Sequence, residues 1–432
     1  MDTPEVEPME SEDVLPKDEA AAPASGATVT PSQVLEMLSR GELVENVRVV
    51  RLKLKGAFPL PVRFRNVTLV QPVIDRATFA DEVAFEACTL ERPRFLRKPV
   101  FEKGLNLTAS TLVRAELRGL TVRGPFRCTN VRTRGQLLVE GSRFEDRVRF
   151  WDANFQSWVE FKGCEFVGEA DFRSFHAEQG FVLDGCTFRS DALFRGATVC
   201  KKWQADASRF DGLLDLSKAK LHDFVYLERI EQGENQRFAF TNALAERILV
   251  RTDQLAGRLA SEGAGDHAQA MQEYGLLKRV FEGLHRYEQE DWAFYRFKVN
   301  QRRCKVRSWR QPWSKVSLFC DWLFLDHGCG YGTNPFRAVR AALIIMLVFA
   351  AIYAAGVERL YVEHTPFGGP QEELGNRLMI GALTSVSAFT SGFGDIRGAA
   401  HGWMNLPLIA ESLLGTLLWG LFIVAFSRKV IR

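Results

Sequence analysis

The chain has 432 residues, enough for two or three domains, and its formal net charge at pH 7 is only +3. That balance gives no reason to expect a polyanion-binding protein. Eight cysteines stand without paired spacing, which excludes a disulfide scaffold and a zinc-ribbon pattern and is read as reduced, structural thiols. The first residues are acidic and polar with no apolar core, so no secretory signal is expected at this end.

Residues 1–30 are rich in Glu, Asp, Ala and Pro and poor in large apolar residues, and are expected to be a disordered acidic tail. A short helical lead-in is expected over 31–47, with Ser32 as its cap.

Over 48–230 large apolar residues recur every five or six positions: Phe79, Phe85, Leu90, Phe95 and Phe101, then Phe144, Phe150, Phe155, Phe161, Phe166 and Phe172, then Phe188, Phe194, Val199 and Phe210. Two positions before many of them stands a small or β-branched residue, as with Ala77, Val83, Ala153, Cys164 and Cys186. Neither a helical nor a strand period fits. The pattern suits a coil with short flat faces, each turning one large and one small side chain inward, so that similar turns stack in one dimension. Cys88, Cys164 and Cys186 then fill small inward slots. This phase resembles the pentapeptide-repeat family in its phenylalanine-rich, degenerate form, over some two fifths of the chain. The resemblance implies a right-handed quadrilateral β-helix. Some members of that family are acidic mimics of DNA. Basic residues outnumber acidic ones in this stretch, so nucleic acid is not expected to be part of its business. Arg92, Arg94, Arg97, Lys98, Arg132 and Arg134 could meet an acidic partner or simply be solvated. No Ser-His-Asp or paired-carboxylate pattern appears, His176, His222, His267 and His285 stand apart, and an enzyme is not expected.

Residues 242–311 change character. Leu244, Ile248, Leu255 and Leu259 follow helical spacing, as do Met271, Tyr274, Leu277, Phe281, Leu284 and Tyr287, with Asp266 placed to cap the second run. A third run carries Trp292, Tyr295 and Val299. A helical connector is expected. The segment 312–335 follows the basic residues Arg302 to Lys315 and holds Leu318–Leu325, too short to span a bilayer and suited to its surface. Gly328-Cys-Gly-Tyr-Gly332 is expected to form a turn leading to Pro335.

Two apolar spans follow, 336–357 and 404–427, each long enough for one hydrocarbon thickness. Arg337 and Arg340 open the first; Arg428, Lys429 and Arg432 close the second. By the positive-inside rule both ends, and with them the coil, are expected in the cytoplasm, in a multi-pass protein of the cell (inner) membrane. Glu411 lies inside the second span, where a carboxyl needs a partner; it could bond the helix behind the filter loop or a subunit contact. Gly415 and Gly420 suit close packing or a bend.

Between the spans, residues 376–396 read as a short amphiphilic helix followed by Thr390-Ser391-Gly392-Phe393-Gly394-Asp395. The order of span, short helix, Gly-x-Gly loop and span resembles the pore module of two-helix potassium channels, whose filter signature is T-V-G-Y-G-D. Ser391 stands where the signature has Val, Phe393 replaces its Tyr, and the preceding helix has no Trp. The resemblance implies that backbone carbonyls of this loop replace the hydration shell of a permeating cation. Gly392 and Gly394 reach the alternating backbone conformations without a Cβ penalty, and Asp395 concentrates cations at the mouth. It further implies a homotetramer, no cofactor beyond the permeating monovalent cation, potassium, and a cytoplasmic coil that regulates or binds a protein partner. The sequence leaves a second reading open: a membrane-anchored scaffold whose pore-like end does not conduct.

Overall fold

The computed structural model describes residues 27–305, 312–360, 366, 368, 370–390 and 400–431. Its first part is a parallel β-solenoid. A ladder of ten strands, running from Leu43–Glu45 to Arg237–Ala239, contributes one strand to each turn and so counts about ten turns. Phe144, Phe166, Phe188 and Phe210 are register partners in sequence, one turn apart. Corresponding residues in successive turns stand 20 to 24 positions apart, and 22 apart from Phe144 to Phe210, which accommodates four units of the five-or-six-residue period.

The period exists because each turn hides its large residues. Phe166 and Phe188 stack with ring centroids 4.6 Å apart, and Phe188 and Phe210 at 4.8 Å. The small inward positions also work as expected, and the thiols bond backbone: Cys186 Sγ donates to the Phe161 carbonyl at 3.2 Å and Cys164 Sγ to that of Val139 at 3.3 Å. Ser110 fills an equivalent slot, its hydroxyl donating to Phe85 O at 2.7 Å. Burial pushes the Cys88 thiol up to about 11, so it is an inert side chain at neutral pH. A recurring corner adopts the left-handed conformation, at Asn46, Asn66, Ala87, Ala109, Asn130, Asp152, Ser174, Gly196, Lys218 and Asn242, and further corners such as Arg51, Gln71, Arg92 and Arg114 do so as well. The ladder holds these non-glycine corners in place: the Ser174 N–H donates to Arg195 O at 3.0 Å, one turn on.

The ends differ from the sequence expectation in three ways. The strand Ala27–Thr28 already pairs with Val47–Arg48, so order begins before residue 30; residues 1–26 lie outside the described ones. The helix Pro31–Ser39 is capped by Thr30, not Ser32, because Pro31 occupies the first helical position and Thr30 and Gln33 bond each other reciprocally. Its Val34 and Leu38 are buried in the core of the coil. At the other end, Leu244–Leu249 is a strand and not the start of a helix. It extends the ladder on Lys220–Tyr226, pairing Val225 with Ile248. Leu244 is 62% exposed, so the apparent helical spacing of Leu244 and Ile248 does not mark a shared buried face.

Two helices then form a neck, His267–Gly283 and Tyr287–Cys304. Asp266 caps the first by accepting from the Gln269 N–H at 3.0 Å. Tyr274, Leu277, Val280 and Phe281 join the same core as the last turns of the coil. A buried carboxylate ties the two parts together: Glu273 accepts from Phe240 N at 2.9 Å, Thr241 Oγ1 at 2.7 Å and Ser261 Oγ at 2.5 Å. Coil and neck are therefore coupled by a continuous core and by three hydrogen bonds to one buried carboxyl. Within the neck Glu262 accepts from Tyr274 Oη and Arg296 Nη2, both at 2.7 Å. Burial opposes its ionisation, and these donors outweigh that, holding its pKa below the ordinary value.

After residues 306–311, outside the described ones, a helix over Pro312–Cys320 widens into a π-helical stretch over Asp321–Gly328. Phe319, Trp322 and Leu323 are exposed on it. Gly328–Gly332 makes the expected turn, with Tyr331 at φ 55°. Asn334 then caps the first apolar helix, Pro335–Ala355.

Candidate functional site

Two helices are long and apolar enough to cross a membrane, Pro335–Ala355 and Gly402–Val430. Their burial inside the protomer is slight, and Leu343, Ile344, Leu347, Val348, Leu413, Ile423 and Val424 are exposed. Between them in sequence lies a helix, Leu374–Thr390, packed on both.

Small residues set how close these helices come. A Cβ on Gly381 would lie 2.5 Å from Ala350 O and 2.9 Å from Ala354 N, so the intervening helix touches the backbone of the first apolar helix. A Cβ on Gly415 would lie 2.4 Å from Phe389 O. Gly415 is thus the close-packing position between the second apolar helix and the end of the intervening one. Gly420 has no neighbour within 4 Å of such a Cβ. Gly415→Ala is expected to lower stability by about 1–3 kcal/mol, because the clash is with backbone that must move. Gly420→Ala should leave the thermal midpoint in detergent unchanged or slightly raised; equal losses in both variants would refute the assignment.

Glu411 is fully buried. Its Oε2 accepts from Tyr353 Oη at 2.7 Å and its Oε1 from Ser385 Oγ at 2.5 Å. Tyr353 belongs to the first apolar helix and Ser385 to the intervening helix, so one carboxyl joins all three. Ser385 Oγ also lies 2.9 Å from Met346 O. The sequence pointed to Glu411 as needing a partner; Tyr353 and Ser385 were not singled out, although they are among the hydroxyls within the neighbouring apolar segments.

The path of the chain follows from these contacts. Gly381 meets Ala350 and Ala354, Ser385 meets Met346, and Phe389 and Thr390 border a cavity with Ala338, Ala342 and Leu343. The intervening helix therefore runs antiparallel to the first, starting near its last turn, passes its middle at Ser385 and reaches the level of Ala338–Leu343 at Thr390. By Ala400 the chain is back where it started: Ala400 bridges Leu360, and the His401 N–H donates to Arg359 O at 2.9 Å. Thr390 Oγ1 bonds the Val386 carbonyl of its own helix at 2.7 Å. Ser391, Gly392, Phe393, Gly394 and Asp395 lie outside the described residues.

At the opposite end both apolar helices are tied to the neck. Arg337, near the start of the first, sits over the Tyr295 ring at 4.8 Å and donates to the Asp326 carbonyl at 3.1 Å. Asp326 also pairs with Arg302 at 2.8 Å and accepts from Tyr295 Oη at 2.7 Å. Arg428, at the end of the second helix, lies 3.3 Å from both Glu290 and Asp291 and stacks over Phe294 at 4.2 Å. The start of one helix and the end of the other thus share one side of the molecule with the neck. The sequence marked Arg337 and Arg428 only as flanking charges; their partners, separated by many residues, carry no local signal.

Among the described residues no group of three or more His, Cys, Asp or Glu could hold a metal ion. No family model matches the chain, no curated protein matches it, and no solved structure matches it.

Proposed function

We propose that the chain is the subunit of a homotetrameric cation channel, conducting potassium, with a large cytoplasmic pentapeptide-repeat domain. In this reading the coil is a right-handed quadrilateral β-helix, Leu374–Thr390 is a re-entrant pore helix, and Thr390 to Asp395 form the filter. Both ends of the chain lie in the cytoplasm and the spans lie in the cell membrane.

The observation that carries the reading is the path between the spans. The intervening helix descends along the first apolar helix past its middle, to the level of Ala338–Leu343, and Ala400 lies beside Leu360 again. Residues 391–399 join these two ends in sequence and include Gly392-Phe393-Gly394. Irregular backbone at such depth is tolerated only where protein surrounds it or water fills a cavity. Four such segments about an axis would supply the carbonyl oxygens that replace a cation's hydration. The exposed apolar faces of the helices would meet lipid and neighbouring subunits.

Ion flux from purified protein in liposomes, potassium against sodium, tests this, with Gly392→Ala and Gly394→Ala in parallel. Potassium flux that disappears in both variants is the expected result. Equal flux of both ions, lost in the variants, would keep the pore and remove the selectivity, with Ser391 and Phe393 as the departures to blame. A protein that is not tetrameric and passes no ion would be a membrane-anchored scaffold.

A further inference from the structure

The arginines of the coil fall into two sets. Over much of its surface a guanidinium meets a carboxylate in its own turn or the next: Arg123 lies 2.7 Å from Glu102, Arg147 3.2 Å from Glu169 and Arg209 2.8 Å from Asp211. One corner of the first turns is different. Arg51, Lys53, Arg92, Arg94, Arg114 and Arg134 are all exposed there, and none forms an ion pair among the described residues.

The ladder brings these charges together. Arg51, Gln71, Arg92 and Arg114 take the same left-handed corner in successive turns, with φ of 54° at the first and 52° at the others. The Arg51 N–H donates to Val70 O and the Arg92 N–H to Val113 O, both at 2.7 Å. Arg94 and Lys53 flank the corner on one face, both in register with Val73, and Arg134 on the other, in register with Val113. A Cβ on Gly135 would lie 2.7 Å from Arg114 Cγ, so that side chain is laid across the next turn. The nearby carboxylates are Glu91 and Glu116, and Glu116 is 3.7 Å from Arg118. Like charges one strand spacing apart repel. The corner itself does not require a cation, because Gln71 fills it equally well. An opposing polyanion would remove the repulsion.

The complementary charge is in the same chain. Asp and Glu occupy 8 of positions 2–19, against the single Lys17, and residues 20–26 are uncharged. Ala27 pairs with Val47, four positions before Arg51, which puts the far end of the ridge within about 25 Å of it. Residues 20–26 can span about that distance. We propose that this ridge is the docking surface of the chain's own acidic segment, residues 2–19, whose carboxylates pair with Arg51, Arg92, Arg94 and Arg114. An acidic partner of the same face would have to displace it. The proposal needs neither a pore nor a membrane.

The test is carbodiimide coupling of the full chain in neutral detergent, which joins a carboxyl directly to an amine in contact with it, read by peptide mass spectrometry. Lys53 and Lys55 should couple to carboxyls of residues 2–19, and the exposed Lys162 and Lys218 should not. Raising the salt from about 0.1 M to about 1 M shortens the screening length from roughly 10 Å to 3 Å and should suppress the coupling. Arg92→Gln, Arg94→Gln and Arg114→Gln combined should lower its yield about threefold or more, the equivalent of several weak surface pairs. The thermal midpoint should stay where it is, since these side chains are exposed and unpaired and Gln is native to that corner at Gln71. Tenfold dilution should leave the yield unchanged; a fall would mean contact between separate molecules and would overturn the same-chain assignment. Equal coupling to Lys162 and Lys218, or a yield indifferent to the three substitutions, would overturn the ridge. No coupling to Lys53 or Lys55 would overturn the proposal and leave the ridge to a partner outside the chain.

Discussion

Phe172→Ala is expected to remove about 3–5 kcal/mol from the coil, the usual cost of deleting an aromatic ring from a packed core. Phe172 is fully buried. It lies between Phe150 and Phe194 in parallel stacks of 5.1 and 4.9 Å and meets Phe161 and Phe181 edge-on at 5.7 and 5.6 Å. The neighbours cannot collapse into the hole, because each is held by its own ladder register. Phe172→Leu, which keeps most of the volume, should cost less than half as much. In a stack where each turn touches only the next, the damage should also be local. Amide hydrogen exchange should accelerate over turns near 150–194 and remain slow around Val62 and Phe64. A uniform change along the coil, or none, would contradict the one-dimensional account.

The coil was legible in the sequence because its period is a direct image of its geometry. Every inward Phe and every small residue before it reports one face of one turn, and the signal repeats over about ten turns. What the period cannot show is where stacking stops. Leu244–Leu249 has spacing that suits a helix, and it becomes a strand because Lys220–Tyr226 offers an open ladder edge. The left-handed corners were hidden for a related reason: Ala87, Ala109 and Lys218 have no propensity for that conformation, and only the hydrogen bonds of adjacent turns impose it. In the apolar helical part, hydropathy marked the two long helices and burial cost marked Glu411. Its partners Tyr353 and Ser385, like the partners of Asp326 and Arg428, come from other segments, and no local spacing encodes such pairings.

Those partners give Glu411 a second large expected effect. In Glu411→Ala, Tyr353 Oη loses its acceptor at a fully buried position, while Ser385 Oγ keeps Met346 O. One orphaned hydroxyl and two lost bonds should lower stability by about 2–4 kcal/mol, read as a fall in the thermal midpoint in detergent. Glu411→Gln should be mild. Its amide oxygen can accept from Tyr353, and its NH₂ can donate to Ser385, whose own hydrogen then goes to Met346 O alone. In a Tyr353→Phe background Glu411→Ala should cost less than in the parent chain, since the bond the two residues share is already gone and no Tyr353 hydroxyl is left orphaned. In the channel reading the same bonds brace the helix that presents Thr390, so flux should fall in Glu411→Ala and survive in Glu411→Gln. Should Glu411→Gln prove as damaging as Glu411→Ala, hydrogen bonding within the protomer could not be the reason. The negative charge itself would be required, and its counterpart would have to come from outside the described residues or from a neighbouring subunit.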